Sequence, residues 1–205
     1  KGSETKRLIR EAAYKLFLTK DYSTVPLKEI EQNLQLSRGC MSYHYPSKQK
    51  LFIDVIDYYI FHKQDVKNKF KDMSHYSLLE FIDYYIQRVE ETMNAMKNYL
   101  ISDENNNITR AYMNLILQAE RFYPGFNIEF NEITNKEIQL WERMFVRAIE
   151  TKEIEATINP ATLALTFRII LFGKCFQDAL INGLRVEELK LVLYNQYDLI
   201  KNKHR

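Results

Sequence analysis

The sequence predicts an all-α protein: three short helices, one long connecting helix, then five longer ones, about nine in all. Three observations carry this. Apolar residues recur at helical spacing through most of the chain, and no stretch alternates as a half-buried strand would. Glycine and proline number only five and four in 205 residues, too few turn formers for many short strands. Hydrophobic residues make up 46% and aromatics 13%, enough to fill a sizeable core.

Ile9, Ala12, Ala13, Leu16 and Phe17 give a first helix, about 4–19, its apolar stripe. Asp21 follows, a residue that tolerates the left-handed conformation a helix exit often needs. Pro26 suits the first turn of a second helix, where its missing N–H would be unpaired anyway. Leu27, Ile30 and Leu34 form that helix's stripe, and Gln35-Leu36 makes a short turn. Ser37 is a good N-cap for a third helix to about Tyr43, and Pro46 blocks its extension. Ser47 caps a fourth with Leu51, Val55, Ile56 and Tyr59 along one side, expected to reach about Lys71. Further helices are expected at about 77–100, 107–122, 128–152, 160–182 and 186–201. They are separated by SDENNN at 102–107, Tyr123-Pro124-Gly125, Asn159-Pro160 and Asn182-Gly183.

Charge is uneven. Residues 1–50 carry seven lysines and three arginines against five carboxylates, a net of +5; the whole chain is +2, so the remainder is −3. A basic head on a mildly acidic body is the asymmetry of a nucleic-acid reader with an appended domain. The second and third helices, joined by a tight turn, follow the helix-turn-helix plan, whose second helix enters the major groove by its N-terminal end. The groove demands slim, hydrogen-bonding residues there, and Ser37, Arg38, Gly39 and Cys40 meet that demand.

These stretches resemble the TetR family of bacterial transcriptional regulators, over about residues 5–55. IREAAYKLF matches the family's habitual opening helix. LKEIEQNLQLSRGCMSYHYPSKQKLF follows its pattern of an Ile-centred second helix, Ser-Lys/Arg-Gly, a tyrosine/histidine cluster, then Pro-Ser-Lys. The resemblance implies that Arg38, Gly39 and Cys40 face base edges, and that Tyr43, His44 and Lys48 meet the phosphate backbone, with Lys28 as a further phosphate contact. Leu27, Ile30, Leu36, Met41 and Tyr45 would form the small core beneath. Asp21, Gln35, Cys40 and Ser42 depart from the family pattern, which has glycine, glycine, threonine and tyrosine there. Cys40 reads as a small residue in the threonine slot. The domains implied are a helix-turn-helix head, 1–46, and a helical ligand-binding and dimerisation body, 47–205.

Other chemistries find no support in the sequence. Cys40 and Cys175 are far apart and fit no zinc spacing, and a reducing, cytoplasmic setting is the simplest reading. The histidines at 44, 62, 75 and 204 form no i, i+4 pair, so no metal site and no cofactor is expected. GxSxG, P-loop and HExxH motifs are absent, so the chain is not expected to be an enzyme. No segment reads as a signal peptide or a membrane span.

The body carries methionine and aromatics at helical spacing: Met93, Met96 and Tyr99, then Tyr112, Met113, Ile116 and Leu117, then Trp141 and Met144, then Phe167 and Leu171. Such side chains make adaptable apolar walls, suited to a cavity or to a plain core. Asn114, Gln118, Arg143 and Arg168 could anchor a ligand's polar groups. The last two helices are apolar nearly all round, and a helix apolar on every side needs partners on every side. Phe172, Phe176, Leu180, Leu189, Leu193 and Tyr197 are therefore expected at a homodimer interface.

The expected function is a homodimeric, ligand-responsive transcriptional regulator, a repressor released from a pseudo-palindromic DNA operator by a small, largely apolar effector. The alternatives are a DNA-binding regulator with no ligand, and an all-helical lipid-binding protein or enzyme.

Overall fold

The computed structural model describes residues 2–70, 73, 75–99 and 107–202. It is all-α. The helices are α1 (Gly2–Thr19), α2 (Leu27–Asn33), α3 (Arg38–His44), α4 (Lys48–Ile56), α5 (Val66–Lys69), α6 (Leu78–Lys97), α7 (Ile108–Phe122), α8 (Phe126–Glu150), α9 (Pro160–Ala179) and α10 (Val186–Ile200). A 3-10 turn, Tyr22–Thr24, joins α1 to α2. The expected boundaries at residues 71 and 100, and most of the break at 102–107, lie outside the described residues.

One apolar cluster holds the head and runs into the body. Ile9, Ala13 and Phe17 of α1, Ile30 of α2, Met41 of α3 and Leu51, Phe52 and Val55 of α4 are all buried, together with Leu115 and Ala119 of α7. A second cluster lies among α6, α8, α9 and α10, around Phe81, Trp141, Phe145, Phe167 and Leu189. The Ser77 side chain accepts from the Glu80 N–H, and the Glu80 carboxylate accepts from the Ser77 N–H, capping α6. Glu153, just beyond α8, accepts from the N–H groups of Leu78 and Leu79 at 2.9 and 3.1 Å, so α6 starts on the end of α8.

Three expectations are corrected. The fourth helix is not one rod to residue 71. It widens into a π-type turn over Asp57–His62 and then breaks at Asp65, whose carboxylate accepts from the Lys67 N–H and starts α5. Aspartate competes for backbone donors in this way, and the break makes a tenth helix. Asp21 is not left-handed: at φ −65° and ψ 142° it is extended, and its side chain caps the 3-10 turn by accepting from Ser23. Pro26 occupies the N-cap of α2 rather than its first turn, and no side chain caps that helix.

The turn before α3 is where the missing glycine is felt. Gln35 adopts φ 52°. Its N–H donates to Gln32 at 3.2 Å and the Leu36 N–H donates to Glu31 at 2.9 Å, the paired bonds of a Schellman ending. The bonds force the left-handed conformation whatever the side chain, and glutamine adopts it at a cost glycine would avoid.

Candidate nucleic-acid interface and ligand cavity

The tip of α3 is built as the sequence implied. Ser37 caps the helix, its hydroxyl accepting from the Cys40 N–H at 3.2 Å. Arg38 and Gly39 are exposed, and nothing lies within 4 Å of where a Gly39 Cβ would sit. Tyr43 is 83% exposed, with the His44 ring edge-on at 5.1 Å. Met41 faces inward at 1% exposure, and Tyr45 is buried with its hydroxyl donating to Asp54 at 2.5 Å. The short helix is thus pinned by one apolar residue and two flanking caps, leaving its tip clear.

Many head cations are already paired. Arg7 bridges Glu4 and Glu11, Lys20 meets Glu29, and Lys6 and Arg10 approach Asp54. Lys48 is turned inward. Its ammonium donates to the carbonyls of Tyr22, Ser23 and Val25 at 2.8, 3.3 and 3.0 Å and sits 4.6 Å over the Tyr22 ring. A lysine in the first turn of α4 looks like a phosphate contact in sequence, but here it closes the C-terminal end of the 3-10 turn. Lys28, Arg38 and Lys50 are exposed and make no ion pair among the described residues. Lys50 lies two residues beyond Lys48 in the same helix turn and, unlike it, points outward to solvent.

Head and body meet at Tyr22 and Gln118. The Gln118 carbonyl oxygen accepts from the Tyr22 N–H at 2.6 Å, and its amide donates to the Phe17 carbonyl at 3.4 Å. The Tyr22 ring stacks on Phe122 at 4.4 Å and packs edge-on against Phe52 at 4.9 Å.

The body holds a cavity of about 130 Å³, partly open to solvent, between α5, α6, α7, α8 and α9. By the space one water needs, this holds roughly ten water-sized positions. Met93, Met96, Tyr112, Met113, Ile116 and Leu171 line it. The other expected lining residues are elsewhere. Tyr99 packs edge-on against Tyr14, and Leu117 is 61% exposed. Trp141, Met144 and Phe167 are buried in the second core, where Trp141 lies 5.2 Å from Phe167. These residues share a helix side with true lining residues, so spacing alone does not separate cavity from core.

Seven polar groups enter the wall that the apolar pattern did not mark: Gln64, Lys69, Thr92, Thr109, Thr134, Glu137 and Cys175. Arg168 is there too, its terminal nitrogen donating to Thr134 at 2.9 Å and its Nε 3.4 Å from the Glu137 carboxylate. Tyr85 donates its hydroxyl to the same carboxylate. Lys69 donates to the Gln64 amide oxygen at 2.9 Å. Burial pulls the Lys69 ammonium below its ordinary range, opposed in part by the Glu137 charge. Burial pushes the Cys175 thiol up to about 12, which leaves it protonated and inert. Of the other polar residues considered as anchors, Asn114 and Arg143 are exposed away from the cavity and Gln118 serves the head.

The expected dimer face is also redrawn. Phe172 lines the cavity with Arg168 over its ring at 4.1 Å. Leu189 and Leu193 are buried within the chain, at 0% and 1% exposure, and Tyr197 donates to Glu153 at 3.1 Å. Phe176 and Leu180 are exposed, as are Leu165 and Ile169 on α9 and Leu191, Val192 and Leu199 on α10. Leu165, Ile169, Phe176 and Leu180 fall on one stripe, with the exposed Gly173 in its middle. A helix apolar all round hides which side is the outer one; only the packing reveals it.

An exposed, capped second helix on a three-helix head, carried by a hollow helical body, is a helix-turn-helix arrangement. Residues 9–55 match the model of the bacterial regulatory proteins, tetR family. The chain is 36% identical over 56 residues to the uncharacterized HTH-type transcriptional regulator YuxN of Bacillus subtilis, a match covering 27% of this chain and 19% of that protein. The chain therefore matches about a fifth of that relative's length. The whole fold is similar to a TetR-family regulator from Agrobacterium tumefaciens, at TM-score 0.66 and 13% identity, covering 98% of this chain and 100% of that one. It is equally similar to a protein from Saccharomonospora viridis solved in complex with choline, at TM-score 0.67 and 17% identity, with coverages of 98% and 100%. No described helix is long and apolar enough to cross a membrane. Among the described residues no three His, Cys, Asp or Glu side chains cluster as metal ligands would.

Proposed function

We propose that this chain is a cytoplasmic, homodimeric repressor whose head, 1–46, reads a pseudo-palindromic operator, and whose body, 47–205, binds a small effector that lowers operator affinity. The observation that carries this reading is the path along α7. The helix lines the cavity with Tyr112, Met113 and Ile116, and Gln118 on the same helix grips the head at Tyr22. A ligand that prefers one position of α7 thereby biases the position of the head, which is what an effector must do to act at all.

The recognition surface in this reading is Ser37, Arg38, Gly39 and Cys40 toward bases, with Tyr43, His44, Lys28 and Lys50 toward phosphates. Lys48 acts indirectly, by holding the turn beneath α2. The exposed stripe of α9, with the outer side of α10, would pair with its two-fold copy. Two recognition helices would then sit about 34 Å apart, one turn of DNA. The choline complex of the Saccharomonospora protein supports a body able to hold a small molecule, though nothing about which one.

The test uses duplex DNA selected by the protein from a random pool. Wild type should retain a dyad-symmetric sequence, and Arg38→Ala should lose about tenfold or more in affinity for it, the worth of one bidentate base contact. Equal affinity of the variant, or selection of no symmetric sequence, would overturn the assignment.

A further inference from the structure

We infer that the effector is a small amphipathic anion: an apolar body ending in one carboxylate, seated between the Lys69 ammonium and the Arg168 guanidinium. This rests on reading the cavity as the effector site, and names the chemistry of what fills it.

The charges that line this largely apolar space do not cancel. Most of the wall is hydrocarbon or ring, from Val66, Phe70, Met93, Tyr112, Phe130 and Leu171. Three formal charges enter it: Lys69, Arg168 and Glu137. Glu137 is already satisfied, facing Arg168 at 3.4 Å and accepting from the Tyr85 hydroxyl. Lys69 has no such partner. Among the described residues its ammonium bonds only to the neutral Gln64 amide and lies in no ion pair. Arg168 Nε, the atom that faces Glu137, is buried and makes no hydrogen bond of its own. Among the described residues the wall thus carries one excess positive charge, together with a buried Arg168 donor that makes no hydrogen bond.

A buried charge without a partner is costly, and a ligand that supplies the partner recovers that cost on binding. One carboxylate brings the wall to neutrality and offers two acceptor oxygens to two donors. A neutral alcohol leaves Lys69 unpaired. An amine adds a second excess cation, and the one anion able to meet it is already held. A dianion overshoots and leaves a buried negative charge. The depressed basicity of Lys69 is what an uncompensated ammonium shows, and a bound carboxylate would reverse it. The cavity's size suits a chain of modest length rather than a bulky polycycle.

The test is calorimetric titration of the purified full chain with octanoate, 1-octanol and octylamine, which share a body and differ in the head. Octanoate should bind at one per chain, about tenfold or more tighter than octanol, the contribution of a hydrogen-bonded charge pair. In Lys69→Met that preference should vanish while octanol binding persists; Lys69→Gln gives the same comparison should the methionine variant fold poorly. Equal binding of octanoate and octanol to wild type, or strongest binding of octylamine, would overturn the anion assignment and leave the cavity a ligand site. Failure of all three to bind would overturn both this inference and the ligand-responsive reading beneath it.

Discussion

Gln118 holds the backbone of Tyr22 at 2.6 Å across 96 residues of sequence, with the Phe17 carbonyl on its other side. It is a buried polar side chain bonded wholly to the three-helix head, from the helix that also walls the cavity. Replacing it with leucine leaves the Tyr22 N–H without its partner, which costs about 1–3 kcal/mol. The Gln118→Leu protein should unfold at a lower temperature, keep its affinity for a cavity ligand, and lose most of that ligand's effect on DNA. If operator release in the variant tracked wild type, coupling would not pass through this contact.

Lys48 and Lys50 should separate cleanly. Lys48→Ala removes an ammonium from three carbonyls and should lower stability by about 1–3 kcal/mol, with little change in the salt dependence of DNA binding. Lys50→Ala should leave stability within about 0.5 kcal/mol and reduce the salt slope by about one, the signature of one lost phosphate contact. Thermal melts and binding at graded salt read both.

Gln35→Gly should stabilise the protein by about 1 kcal/mol, because the left-handed residue of the Schellman ending no longer carries a Cβ. The Cβ relief exceeds what the freer unfolded chain gives back. Chemical denaturation checks the sign, and a destabilised variant would show that the glutamine side chain contributes something its exposed position does not suggest.

The three-helix head was legible almost residue by residue because its signals are local. Ser37 and Ser47 cap where cap residues stand, and Pro46 stops α3 as any proline would. What was not legible depends on distant partners. Lys48 reads as a phosphate contact until the carbonyls of the preceding turn are seen to surround it. Trp141 and Met113 have similar periodicity, yet one is core and the other cavity wall, because the hole lies between helices far apart in sequence. Leu189 and Phe176 look equally suited to an interface, but the first is buried in the second core and the second is 61% exposed. The break at Asp65 is not legible in the sequence because aspartate is tolerated in helices; here its carboxylate caps α5 by accepting from the Lys67 N–H.

Lys69 offers a test by pH. Its folded pKa is lowered by burial, so the unfolded chain binds the proton more tightly. The penalty is fully present below the folded pKa and fades as pH rises toward the ordinary lysine value of about 10.4. Lys69→Met should therefore raise the melting temperature of the ligand-free protein near neutral pH, with the gain shrinking as pH rises to about 10. A variant less stable than wild type at neutral pH would mean that the ammonium is well compensated after all.

Phe176→Glu places a charge on the outer stripe of α9 and touches no described core. It should convert the protein to a monomer in sedimentation and abolish tight operator binding, since each half-site alone is weak. A variant that stayed dimeric would move the interface elsewhere on the body.

The most direct measurement is operator affinity by fluorescence anisotropy, with the cavity empty and with saturating octanoate, in wild type and in Gln118→Leu. Wild type should lose about tenfold or more in affinity on filling the cavity, within the usual range of coupling between sites, and the variant should lose far less. Octanoate bound at one per chain with no change in operator affinity would contradict the claim that the cavity governs the DNA-binding head.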